Sequence, residues 1–224
     1  MIRFCLLVVA KAPVAGLAKT RLMPQATPCE AAAIASASLL DTLSVARRTP
    51  GAVPLVALTG DVAAAHDPVA LRTALHGMSV LPQRGRGLAE RLGNAHADAA
   101  TRHPGLPVVQ VGMDTPQVTP RLLGTVAACL AAHPAVLGVA EDGGWWVLGL
   151  RDPAHAAALR EVPMSRTDTA VRTREALIRR GLHVADGPRL TDVDTMADAV
   201  TVARELPGSR FAAAVAAAGA GALR

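Results

Sequence analysis

The chain has 224 residues, 51% of them hydrophobic and 18% charged, with a net charge of +5. That length and apolar content suit one domain with a sizeable core. Two Phe, two Trp and no Tyr are too few rings for a base-stacking surface, and the basic excess is scattered arginine rather than a run, so nucleic acid is not an expected partner.

Cys5, Cys29 and Cys129 are far apart and odd in number. They give neither a zinc spacing nor a disulfide framework, which fits a reducing compartment. The opening MIRFCLLVVAKAP lacks a small-residue cleavage site and its apolar run is too short to span a bilayer. The expectation is a cytoplasmic protein with no membrane partner.

In chain order, residues 2–10 (IRFCLLVVA) read as a buried strand and 28–48 as an Ala-rich helix. A strand at 53–60 ends at glycine, a helix follows at 67–76, and 78–83 is a short strand. Residues 88–102 are helical, 106–114 (LPVVQVGMD) form a strong strand, and 119–132 are helical. Strands follow at 134–141 and 145–150, then helices at 167–180 and 195–206 around a short strand at 182–185. Continuous apolar runs alternating with helices predict an α/β domain, a mixed and mostly parallel sheet covered on both faces. The domain is expected to occupy 1–209, with an Ala-rich tail at 210–224, helical or frayed.

Open α/β sheets bind ligands at the carboxyl ends of their strands. Four such places, 11–22, 83–91, 112–116 and 141–144, are rich in polar residues and glycine. KAPVAGLAKTRL, 11–22, follows the first strand directly. Pro13 delays a helix, Gly16 permits positive φ, and Lys11, Lys19 and Arg21 supply charge for an anion; a solvated basic loop is the competing reading. It is neither a Walker A loop nor GxGxxG. In VGMDTP, 111–116, Asp114 is either a strand-end metal ligand or the centre of an Asx-turn. In VAEDGGWWVLGL, 139–150, the Gly143–Gly144 pair makes a hairpin, and at most one of Trp145 and Trp146 faces a substrate, because strand neighbours point oppositely. Near the end, TDVDT offers Asp194 as a second metal carboxylate, or Asp194 or Thr195 as a helix cap. LPQRGRGLAERLGNA, 81–95, reads as a polar loop or as backbone amides facing a nucleobase.

Together, KAPxxGxxKTRL after strand one, a glycine loop before an ERL helix, GxDxP, EDGG with two aromatics, and DVDT resemble the bacterial selenodomain-associated transferase 1 family. That family is glycosyltransferase-like and related to phospholactate guanylyltransferases and molybdenum-cofactor nucleotidyltransferases. The likeness spans nearly all of 1–206 and implies a GT-A-type, nucleotide-diphospho-sugar transferase fold. It implies nucleotide contacts at Lys11, Ala12, Gly16, Lys19, Arg21, Gln83, Gly85, Gly87 and Arg91. Catalytic roles fall to Lys19, Arg21 and Asp114, and Mg²⁺ or Mn²⁺ to Asp114 and Asp194. The acceptor falls to Glu141, Asp142, Gly143, Gly144, Trp145 and Ser165. Four positions depart from the family pattern: Met164 stands where Trp is expected, Ala89 where glycine is usual, and Trp145 and Trp146 replace tyrosines.

The implied activity is transfer of a nucleoside monophosphate from an NTP to a small phosphorylated acceptor, releasing pyrophosphate. Two alternatives stand beside it: a glycosyltransferase using a nucleotide sugar, and a non-catalytic nucleotide-binding module. The partners are then a nucleotide and a small phosphorylated or sugar substrate, with a homodimer left open.

Overall fold

A computed structural model describes residues 2–23 and 25–221. The continuous apolar runs become strands: β1 (Phe4–Lys11), β2 (Ala52–Thr59), β3 (Ser79–Pro82), β4 (Val108–Gly112), β5 (Ala135–Val139), β6 (Trp145–Leu150) and β7 (Val184–Asp186). The helices are α1 (Pro28–Arg48), α2 (Pro68–Leu75), α3 (Leu88–Arg102), α4 (Pro120–Cys129), α5 (Thr169–Arg179), α6 (Met196–Glu205) and α7 (Arg210–Gly221). Residues 151–166, where the apolar pattern predicts no element, hold a 3₁₀ helix over Pro153–Glu161.

Several helix starts are written locally. Thr27 and Glu30 form a reciprocal capping box at Pro28, and Asp67 and Thr119 cap helices that open on Pro68 and Pro120. Proline at the first helical position gives up no hydrogen bond.

The seven strands form one sheet in the order β3-β2-β1-β4-β6-β5-β7. Only β6 runs antiparallel to its neighbours, β4 and β5, so the sheet is mixed and mostly parallel, as the sequence predicts. α1, α2 and α4 cover one face, against Leu6, Val8, Val56, Val109 and Val136. The 3₁₀ helix, α3 and α5 cover the other, against Leu7, Leu55, Leu137, Leu148 and Leu150. α1 alone among the described helices is long and apolar enough to cross a membrane by length and composition, and 67% of its apolar window is buried inside the fold.

A smaller cluster joins the end of the first loop to the C-terminal helices. Leu22, Ile34, Val193, Val202, Phe211 and Val215 pack together, and the backbone N–H of Phe211 donates to Asp41 Oδ2 at 3.0 Å. α7 thus backs the segment that carries Asp192 and Asp194. Residues 222–224 of the Ala-rich tail lie outside the described residues.

The β5–β6 pairing carries an irregularity at Gly138/Val139, where Gly138 pairs with Val147 but Val139 with Trp145. The extra residue resets the alternation. Trp146 and Val147 therefore join one core face while Trp145 joins the other. Gly138 makes room for this, since a Cβ there would lie 2.5 Å from Val147 Cγ1 and 2.7 Å from Trp146 Nε1.

Candidate active site

The strand order reverses between β1 and β4, the position where open α/β sheets form their ligand crevice. A cleft of about 510 Å³ opens there. Val9, Gln110 and Gly112 line it from the sheet, Thr115 from the loop after β4, Leu88 and Leu92 from α3, and Asp142, Gly144, Trp145 and Trp146 from the β5–β6 hairpin. Met164 to Thr167, Asp192 and Asp194 complete it. A smaller pocket of about 230 Å³ holds Lys11, Leu17 and Lys19, and shares Arg21, Asp114 and Asp194 with the cleft.

Lys19 sits at the junction. Its backbone is left-handed at φ 50°, uncommon for a non-glycine residue and a mark of a constrained loop. Its Nζ lies 2.8 Å from Asp114 Oδ1 and 3.4 Å from Asp194 Oδ1, and it also donates to the Val193 carbonyl. Three acceptors match the three N–H bonds of an ammonium, the condition for burying one. Burial pulls the Lys19 pKa down, but Asp114, Asp194 and Asp192 outweigh it and hold the pKa above its ordinary value. Arg21 Nη1 lies 2.6 Å from Asp194 Oδ2. Lys11 acts differently: its Nζ donates to Leu17 O at 2.6 Å, tying the loop back to β1. Gly16, at φ 75°, forms the exposed turn of that loop, and Ala12 is buried, its N–H bonded to Thr59 O.

Asp194 does not cap α6. Thr195 does, in a capping box with Asp198. Asp194 is thereby left to the two cations, and Asp114, paired with Lys19, is likewise free of an Asx-turn among the described hydrogen bonds. Asp142 does make an Asx-turn: its Oδ1 accepts from Gly144 N–H at 2.8 Å, while the side chain still lines the cleft.

Asp192 enters the cleft without having been singled out as a site residue in the sequence. The signal was available, since positions two apart in extended chain share a face. Burial foremost, then the neighbouring Asp114 and Asp142, push its pKa up to about 7, against a lowering by Lys19.

Gly143, at φ 87°, is pressed against the 163–167 segment: a Cβ there would lie 1.8 Å from Thr167 O. The Ala170 N–H donates to Gly143 O at 2.9 Å. This clasp brings Ser165, itself at φ 60°, onto the wall beside Trp145. The Trp145 Nε1–H donates to Thr173 Oγ1 and the Trp146 Nε1–H to Pro188 O, the second ring being fully buried. Glu141 is exposed and lies off the cleft wall.

The expected base-contacting residues gather apart from the cleft wall, between β3 and α3. Gln83 spends its amide N–H bonds on Ala10 O and Ala57 O. Arg91 Nε donates to Gly85 O, and Gly87 is the N-cap of α3 with no side-chain cap.

Two further floor residues had no counterpart in the expected set. Thr115 is 1% exposed, and its hydroxyl has no hydrogen-bond partner among the described residues. Gln110 is buried and meets His96 of α3, with His96 Nε2 3.0 Å from Gln110 Oε1. Burial lowers the His96 pKa to about 4, only partly offset by Gln110, so the ring is neutral at physiological pH.

Residues 42–166, more than half of the chain, match the model of a family described as an uncharacterized protein conserved in bacteria, DUF2064. No curated protein matches the sequence. A solved candidate nucleotide-diphospho-sugar transferase from Desulfovibrio desulfuricans G20 is 26% identical with a TM-score of 0.85, covering 100% of this chain and 98% of that one. Rv0371c from Mycobacterium tuberculosis H37Rv, in complex with manganese, is 24% identical with a TM-score of 0.52, over 90% of this chain and 98% of its own. A cytidylyltransferase from Leptospira borgpetersenii serovar Hardjo-bovis is 12% identical with a TM-score of 0.58, over 97% and 94%. The last two likenesses concern the fold.

Proposed function

The chain belongs to the bacterial family DUF2064, and from that premise we propose that it is a metal-dependent nucleotidyltransferase. It moves a nucleoside monophosphate from an NTP to a small phosphorylated acceptor and releases pyrophosphate. The observation that carries this reading is the meeting of Lys19 and Arg21 with Asp114 and Asp194 at the carboxyl ends of β1 and β4. Cations for a polyphosphate and carboxylates for its counter-ion share one junction. The selenodomain-associated transferase 1 assignment is part of the same proposal, supported by KAPVAGLAKTRL and EDGG.

The donor set fits a hard divalent cation such as Mg²⁺ or Mn²⁺, because all of its side-chain ligands are carboxylate oxygens. Among the described residues no three Asp, Glu, His or Cys side chains group closely enough to hold a metal unaided. That suits an ion held by one or two carboxylates, here Asp114 and Asp194, together with substrate phosphates. When bound, such an ion supplies charge neutralisation at the reacting phosphoryl group. Lys19 and Arg21 would hold polyphosphate oxygens and offset the charge that accumulates on departing pyrophosphate. The acceptor's phosphate is ionised at neutral pH, so positioning dominates over proton removal. The clasp of Gly143 on Thr167 fixes the wall where the acceptor rests.

A second reading, a glycosyltransferase using a nucleotide sugar, is favoured by one observation: the Desulfovibrio relative, at a TM-score of 0.85. Thermal unfolding with Mn²⁺ and each of the four NTPs or common nucleotide sugars separates the two. Stabilisation by an NTP, with pyrophosphate release in the presence of phosphorylated acceptors, is expected. Stabilisation by nucleotide sugars alone overturns the first reading in favour of the second.

A further inference from the structure

One polar side chain on the cleft floor has no role in holding nucleotide or metal. Gln110 lies in the middle of β4, between Val109 and Val111, in a strand otherwise built of Val and Gly. It is 3% exposed and lines the cleft. A buried carboxamide in such a place is costly unless its bonds are made.

Only half of them are made inside the protein. Oε1 meets His96 Nε2 at 3.0 Å. Among the described residues no protein acceptor takes the Gln110 Nε2 hydrogens, and this nitrogen is not among the fully enclosed atoms without a partner, as His96 Nδ1 and Thr115 Oγ1 are. The amide NH₂ therefore opens onto the cleft.

The buried imidazole decides which end of the amide faces outward. His96 Nδ1 is fully buried with no partner. A buried N–H without an acceptor is rarer and costlier than an unused lone pair. The proton therefore sits on Nε2, which donates to Gln110 Oε1, and the amide must present its N–H bonds to the cleft.

We infer that Gln110 is a recognition residue for the second substrate, donating a hydrogen bond to an uncharged oxygen, a hydroxyl or carbonyl, with His96 as the positioning residue that fixes the amide. The apolar part of that molecule rests on Val9, Leu92, Trp145 and Met164, which share the cleft. This inference rests on reading the cleft as the acceptor side of a transferase. An uncharged oxygen follows from the surroundings. The amide is backed by a neutral ring, so neither of the two groups offers the positive charge that a buried anion needs. The carboxylates of Asp114, Asp142 and Asp194, which share the cleft, disfavour a second anion there. An acceptor that carries a phosphate would direct it to the Lys19 junction and its uncharged end to Gln110.

The test uses the full chain and three small probes: 1,2-propanediol, acetate and inorganic phosphate. The side-chain amide resonance of Gln110 is assigned by its loss in Gln110→Leu. The diol is expected to shift that resonance saturably, and acetate and phosphate are not. Gln110→Leu should retain its cooperative unfolding and bind the diol at least about threefold more weakly, the loss of one neutral hydrogen bond. The His96 ring nitrogens should report protonation at Nε2, and His96→Leu should broaden the Gln110 amide while leaving the chain folded. No shift with the diol, an equal shift with acetate or phosphate, or protonation at Nδ1 overturns the inference. Nucleotide-induced stabilisation with Mn²⁺, measured in parallel on the wild type, judges the transferase reading separately: if it is missing while the diol binds at Gln110, that reading falls and the recognition site stands.

Discussion

The Lys19 ammonium and the Asp114 carboxylate, 2.8 Å apart, join the loop after β1 to the loop after β4. The pair is unequal: the Lys19 side chain is 10% exposed and that of Asp114 is 43% exposed. Removing the lysine leaves Asp114 with access to water, whereas removing Asp114 leaves Lys19 with Asp194 and the Val193 carbonyl.

Lys19→Met is therefore expected to lower stability by about 1–3 kcal/mol, less than the loss of a partner from a fully buried pair, and to abolish nucleotide-induced stabilisation. Asp114→Asn should cost less stability but remove the response to Mn²⁺. Denaturant unfolding and Mn²⁺ titration followed by electron paramagnetic resonance measure the two effects. Equal Mn²⁺ binding by Asp114→Asn and wild type would falsify the metal role of Asp114.

Gly143 offers a sharper steric test. A Cβ there meets Thr167 O at 1.8 Å on a backbone with φ of 87°. Positive φ alone costs a non-glycine residue about 1–2 kcal/mol, and the overlap forces the two loops apart. Gly143→Ala should lose more than about 2 kcal/mol and change the tryptophan fluorescence of the Trp145–Trp146 pair. Gly124→Ala is the control. Its Cβ meets nothing within 4 Å inside α4, so it should gain about 0.5–1 kcal/mol.

Most of the fold was legible because its strands are continuous apolar runs and three of its helices, α1, α2 and α4, open on a cap followed by proline. The strand-end rule also pointed to the segments that carry Lys19, Arg21 and Asp114, while Asp194 came from TDVDT and the family resemblance. Asp192 was missed because capping and metal binding were weighed for TDVDT residue by residue, while the shared face of positions 192 and 194 follows from the extended chain. Gln110 was missed although a glutamine inside a buried apolar strand is the informative exception to hydrophobic burial. The pairing of Gln110 with His96 joins β4 to α3, and no local spacing announces it. The loop at 83–91 shows a different case: Gln83 and Glu90 bond backbone groups of the fold and Arg91 ties its Nε to Gly85 O, contacts that the sequence does not announce.

His96 makes the fold acid-sensitive. Its pKa falls from 6.5 to about 4 on burial, so between those values the unfolded chain binds more protons than the native one. Stability is then fully present above pH 6.5 and is lost as the pH falls toward 4. Wild type should lose stability across this interval, and His96→Gln should flatten the loss. Denaturant midpoints at half-unit pH steps read the slope.

Asp192 has the opposite sign in an overlapping window. Its pKa rises from 3.8 to about 7, so between those values the native state binds the additional proton. Its contribution is greatest below pH 4, is lost as the pH rises toward 7, and is constant above. Asp192→Asn removes a charge that burial and the neighbouring Asp114 and Asp142 disfavour. In metal-free protein at pH 8 it should be more stable than wild type, by at most about 4 kcal/mol. The advantage should vanish by about pH 4, since Asp192 in the wild type is then protonated like its amide replacement. The measurement is the difference in denaturant midpoint between the two proteins from pH 4 to 8, in chelator. A difference that stays constant with pH would mean that Asp192 holds its charge throughout and that the four carboxylates of the cleft do not interact as their grouping requires.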